Sequence, residues 1–258
     1  MTAETKAPHP KHFARAAHLM EIFRYEKEKY KRSSRMILPA VLLFFYLGFA
    51  YSMAPQYVLD SFSICSLVVF LLMLSAGVMY EDICFPMIDQ TIFIKTEKKE
   101  LLFAGRCLLI AYISLGAAAV SVLYPLLCDL ANKKGLFMRP LTAADIISAF
   151  FLFWITGVSG GITGLFANRR IFRKRETALI LSVLLGLLII LKGAVGEKFA
   201  AVRLITWILP PVYDLSVNYS AEEYFHFSGL WIYFLWMAAY TVLEAWLYIR
   251  IMAWKKFE

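Results

Sequence analysis

Six long apolar stretches divide the chain, at 36–53, 61–80, 101–128, 142–167, 177–195 and 230–254. A helix crosses the hydrocarbon layer of a bilayer with about 20 apolar residues. Water is absent there, so every backbone amide must be satisfied within the segment, and helix does this. The pattern predicts an all-α polytopic membrane protein: a cytoplasmic arm over 1–35, then a six-helix transmembrane domain over 36–258. Composition agrees, with 60% hydrophobic and 18% charged residues against about 25% charged in soluble domains.

The gaps alternate in charge. The first arm holds Lys6, Lys11, Arg15, Arg24, Lys27, Lys29, Lys31, Arg32 and Arg35; the second gap and its edge hold Lys95, Lys98, Lys99 and Arg106. The fourth gap holds Arg169, Arg170, Arg173, Lys174 and Arg175, and the tail Arg250, Lys255 and Lys256. Only Lys133, Lys134, Arg139, Lys198 and Arg203 fall in the remaining gaps, with Lys192 inside a stretch. Basic residues beside spans stay cytoplasmic, so both termini are expected in the cytosol, in the plasma (bacterial cytoplasmic) membrane. The net charge of +8 then reflects topology and anionic headgroups, and no nucleic-acid partner is needed to account for it. Cys65, Cys84, Cys107 and Cys128 form neither a metal-ligand spacing nor a disulfide framework,.

The gaps carry pattern of their own. Ala16, Leu19, Met20 and Phe23 recur at helical spacing, predicting an amphipathic helix along the inner leaflet; the alternative is a solvated charged arm. The segment 81–100 is longer than a connector of two spans requires. It opens on Glu81 and Asp82, continues through Phe85, Ile88, Asp89, Gln90 and Ile92, and closes on Lys95, Lys98 and Lys99. Such alternation suits a short helix whose apolar ridge meets something outside the membrane, or packs against headgroups or the chain's own spans. The segment 196–229 is apolar but broken by Pro210-Pro211, as in re-entrant or interfacial outer helices.

Inside the spans, Gly157, Gly160, Gly161 and Gly164 form two small-xxx-small pairs for close helix packing,. Glu244 is an intramembrane carboxylate needing a partner or a cavity; Arg106 is the candidate for a structural ion pair with it, and a substrate contact is the alternative,. Asp145 and Lys192 are expected to snorkel from span ends. There is no P-loop, no H-E-x-x-H and no channel filter motif,. The chain is therefore expected to be no enzyme and to bind no cofactor or metal.

The plan as a whole resembles the membrane subunit of type 2 ATP-binding-cassette exporters. The local resemblance is carried by acidic Glu81 and Asp82, then an apolar stretch, then Lys98-Lys99-Glu100-Leu101-Leu102-Phe103-Ala104-Gly105-Arg106, and by Trp207-Ile208-Leu209-Pro210-Pro211 near the outer hairpin. The proline that often precedes the basic part of this segment is replaced by Lys95-Thr96, with Pro86 standing earlier. The resemblance implies a pair of such membrane subunits, a homodimer, above two separate P-loop ATPase subunits that hold ATP and magnesium. The segment 81–100 would dock on the ATPase, and the cargo would be an amphipathic peptide, antibiotic or lipid-like molecule. Rival readings are an ATP-independent secondary transporter or channel, and a non-transport membrane assembly subunit.

Overall fold

A computed structural model describes residues 11–84, 86–96, 99–168, 171–172, 174–193, 209–221, 224–225 and 227–254. Among them the secondary structure is helical apart from one isolated bridge between Gln56 and Phe137. The helices are α1 (Lys11–Arg32), α2 (Ile37–Ala50), α3 (Val58–Tyr80), α4 (Pro86–Thr96), α5 (Lys99–Ala131), α6 (Ala143–Leu165), α7 (Arg175–Ile190), α8 (Val212–Tyr219) and α9 (Phe227–Trp254). Four segments are long and apolar enough to cross a membrane: Val58–Ile83, Lys99–Ala131, Ala143–Leu165 and Gly229–Trp254. A fifth is formed if Ala16–Arg32 and Ile37–Ala50, bent by 72°, are taken together.

The centre of the bundle is the pair α3 and α6, which bury more of their length than the other two long spans. Glycine makes this possible. A methyl group on Gly160 would strike the Phe70 carbonyl oxygen, and one on Gly164 the Leu74 carbonyl oxygen. From the other side, a methyl group on Gly77 would strike the Gly161 carbonyl oxygen. The expected close packing of Gly157, Gly160, Gly161 and Gly164 therefore takes place within one chain, against α3 and against Ile110 and Ser114 of α5. Around it, α2, α7 and α9 turn Phe45, Phe49, Ile180, Val183, Leu235 and Val242 outward. Water would penalise such a surface and lipid does not.

One end of the bundle is sealed by polar contacts. Thr142 and Asp145 form a capping box at the start of α6, the reciprocal arrangement that satisfies two otherwise orphaned amides. Arg139 donates to both oxygens of Asp145, at 2.6 and 3.0 Å, and lies 4.4 Å over the Tyr224 ring. The expectation that Asp145 snorkels is thus overturned: it is buried, because the cap and the guanidinium replace its water. α8 is tied to the same end, with Ser63 donating to the Ser216 carbonyl at 2.8 Å and Tyr219 2.9 Å from Ser148.

Lys192 is also paired rather than snorkelling, 2.5 Å from Asp214 of α8. At its other terminus α7 begins with Arg175 bonded to Asp82. α7 therefore reaches from one end of the bundle to the other. α2 does so too, since it follows Arg35, 3.5 Å from Asp82, and leads to Tyr51, whose ring packs on Phe137.

Candidate functional site

At the end opposite the seal, α5 overshoots. Its 33 residues measure about 50 Å at 1.5 Å per residue, against a hydrocarbon layer of about 30 Å. The overshoot carries α1 and α4. α1 packs along α5 so closely that a methyl group on Gly105 would meet Ile22 Cγ2 at 2.6 Å. The face it turns to the bundle adds to the expected stripe, whose Leu19 and Phe23 are half-buried. Ile22, Glu26 and Tyr30 are buried, whereas Met20 is exposed. The helix turns a glutamate inward because α5 offers that glutamate a cation.

That cation is Arg106, wholly buried. Its Nη2 donates to Asp89 Oδ1 of α4 at 2.6 Å, and its Nε to Glu26 Oε1 of α1 at 3.5 Å. Tyr80, at the end of α3, donates to Glu26 Oε2 at 2.5 Å, and Lys29 pairs with the same carboxylate. The guanidinium also lies 5.3 Å from the Phe103 ring centre and 5.9 Å from that of Tyr80. One arginine thereby joins four helices. Buried charges persist when geometry is good and each has partners, and here only Nη1 finds none.

The expected pair of Arg106 with Glu244 is not formed. Arg106 is taken up by Asp89 and Glu26, while Glu244 accepts from Ser159 at 3.0 Å and from Thr163. Sequence gave no view of this choice, since Glu26 lies 80 positions from Arg106.

α4 itself divides the expected coupling residues into two sets. Asp89 points in and is its anchor. Glu81 is buried with the Tyr248 hydroxyl 3.5 Å from its Oε1, and Asp82 joins Arg35 and Arg175. Ile92 and Phe93 are half-buried, with Lys99 Nζ 5.5 Å over the Phe93 ring. On the opposite side Ile88, Gln90 and Thr91 are exposed, with Met87 at 81% and Ile94 at 76%. Met87, Thr91 and Ile94 follow i, i+4, i+7 spacing and so form one stripe. Phe85, Lys98 and the Lys95 side chain lie outside the described residues, as do 196–208, 222, 223 and 226 of the expected re-entrant region, Arg169, Arg170, Arg173, Lys255 and Lys256.

Two apolar side chains projecting this far from a short helix do not arise from burial inside this chain. The helix is anchored on one face through Asp89 and exposes Met87 and Ile94 on the other. Among the described residues no group of acidic, histidine and cysteine side chains is arranged to hold a metal ion. No family model matches the chain, and no curated protein matches it. The fold and this site define a helical membrane-embedded protein whose α1–α4 end presents an anchored apolar ridge.

Proposed function

We propose that this chain is the transmembrane subunit of an ATP-driven exporter of the ATP-binding-cassette kind. In this reading it crosses the cytoplasmic membrane six times with both ends inside. It pairs with a second copy and stands on two separate P-loop ATPase subunits that hold ATP and magnesium. The observation that carries the reading is α4: a short helix beyond the long spans, with Met87, Ile88 and Ile94 outward and Asp89 locked to Arg106.

The mechanics follow from that anchorage. An ATPase gripping the outer face of α4 moves it when nucleotide closes the dimer. Asp89 passes the displacement to α5 through Arg106, and Glu26 and Tyr80 pass it to α1 and α3. Four helices so joined move as one body, which a two-state transporter requires. The end sealed by Arg139, Asp145 and Tyr219 is the gate that must part to release cargo. In this reading the cargo is an amphipathic or lipid-like molecule.

The test is capture of the ATPase. A photo-crosslinker at Ile88 or Gln90 should trap a P-loop ATPase in native membranes, whereas one at Phe45 on α2 should not. Absence of that product from both α4 positions rejects the exporter. A second reading, transport driven by an ion gradient without ATP, draws on the buried Glu244; transport in vesicles lacking nucleotide would favour it.

A further inference from the structure

Glu244 is the one acidic side chain of α9. It stands ten positions before Trp254, which is about 15 Å of helix and half the hydrocarbon thickness of about 30 Å. Its side chain is buried. Both polar partners are hydroxyls of α6, Ser159 donating to Oε2 at 3.0 Å and Thr163 to Oε1. Hydroxyls orient a carboxylate but bring no positive charge. Among the described residues Glu244 has no ion pair: Arg106 is committed to Asp89 and Glu26, and Arg250 of the same helix pairs with Glu100.

Beside the carboxylate lies a cavity of about 280 Å³ between α6, α7 and α9. Its walls include Phe166, Phe172, Tyr240, Leu181 and Leu185, with Glu244 and Thr163 among the polar contributors. This combination has a defined chemistry. An acidic group lacking a cation within a span is normally matched by one from a partner or a substrate. Aromatic walls favour an organic cation through their ring faces. Leucines favour an alkyl or aryl tail. A bare metal ion would satisfy the oxygens and leave most of the space empty, so the volume argues for the organic cation.

We propose that the α6–α7–α9 cavity binds the ammonium head of an amphipathic molecule against Glu244, with its apolar tail along Leu181 and Leu185. The site stands on the cavity and its carboxylate; that its ligand is the exported cargo rests on the exporter reading above.

The probe is octyltrimethylammonium, with octanol as its uncharged counterpart, added to the full-length chain in lauryl maltoside micelles. The readout is the midpoint of thermal unfolding across a titration. The ammonium should raise the midpoint and saturate, and octanol should not. Glu244→Gln, which keeps the shape and removes the charge, should weaken the apparent affinity at least tenfold. Equal stabilisation by the two probes, unchanged affinity in Glu244→Gln, or displacement of the probe by millimolar sodium or potassium overturns the proposal, the last in favour of an inorganic cation site. Should Glu244→Gln fail to fold, the comparison of head groups and the salt competition on the unaltered chain still decide. No ATPase enters this experiment. Loss of the site therefore leaves the exporter standing, and failure to capture an ATPase leaves the site standing.

Discussion

Asp89 of α4 and Arg106 of α5 meet at 2.6 Å in surroundings that leave the arginine no exposed surface. Removing Asp89 leaves the buried Arg106 with Glu26 alone, at the more distant 3.5 Å, and breaking a buried pair costs about 3–5 kcal/mol. Asp89→Ala should therefore lower the unfolding midpoint of the purified chain far more than a surface change does. The double variant Asp89→Leu, Arg106→Met should recover a large part of the loss, because no uncompensated charge remains. A loss under about 1 kcal/mol in Asp89→Ala would mean that Arg106 finds water and that α4 is not anchored.

The outer face of α4 predicts the reverse pattern. Met87 and Ile94 touch little of this chain, so Met87→Asp and Ile94→Asp should change stability by no more than about 0.5 kcal/mol. On the exporter reading their effect should fall on association, with recovery of the proposed ATPase on an affinity-tagged chain dropping at least tenfold. Matched measurements of unfolding and co-purification separate the two. Destabilised but still associating variants would place the ridge inside the fold instead.

Along α3 and α6 the glycines predict position-specific sensitivity. At Gly160 and Gly164 an added methyl group meets backbone, which cannot rotate away. Gly160→Ala and Gly164→Ala should each destabilise by about 1–3 kcal/mol, the usual range for overpacking. Gly116 on α5 has nothing within 4 Å of the same added carbon, so Gly116→Ala should be neutral or slightly stabilising, since alanine has the higher helix propensity. Thermal unfolding in detergent gives the ranking, and equal effects at Gly116 and Gly160 would contradict the packing described.

Legibility from sequence followed the range of the interactions. The long spans 61–80, 101–128, 142–167 and 230–254 are visible because bilayer thickness sets their length, and α3, α5, α6 and α9 lie on them. A short helix within 81–100 was readable from its alternating character, and α4 forms there. Partner choice was not readable. That α1 turns Glu26 inward is not readable, because a glutamate counts as polar and outward until Arg106 of α5 is known to face it. The same blindness produced the mistaken Arg106–Glu244 pair: hydropathy locates buried charges but says nothing about which helices are neighbours. Asp145 departs from the expected snorkelling for a local reason that the sequence does carry: Thr142 stands three residues before it, the spacing of a capping box,.

Cys84, in the bend before α4, is the thiol to test for burial outside the spans. Burial pushes it from its ordinary 9.0 up to about 12, with the positive charge of Arg106 pulling the other way. The thiolate is the reactive form, so maleimide labelling of Cys84 at neutral pH should be slower than for an unfolded chain by on the order of a hundredfold or more. The linkage has a direction. A thiol favoured as neutral in the folded state contributes its full stability below pH 9, and the contribution declines as pH rises from 9 towards about 12,. Peptide mapping after timed labelling reads this out, and labelling at the unfolded rate would show that Cys84 is open to water.

The number of crossings turns on α2 and α7, whose 14 and 16 residues span only about 21 and 24 Å. Length alone would let either turn back. Their anchors argue otherwise: α7 joins Asp82 through Arg175 at one end and α8 through Lys192 at the other, while α2 runs from Arg35 beside Asp82 towards the bridge at Gln56. In the six-crossing reading both helices traverse the bilayer with the bundle, and flanking basic residues together with local thinning of the bilayer accommodate a short span. That reading puts both ends of the chain on one side, the cytoplasmic one. In intact cells an impermeant maleimide should therefore label Lys134→Cys, between α5 and α6, and should reach Ala17→Cys and Trp254→Cys only after permeabilisation. Labelling of Ala17→Cys and Trp254→Cys from opposite sides would give an odd count, and would mean that α2 or α7 lies along the bundle without traversing the bilayer.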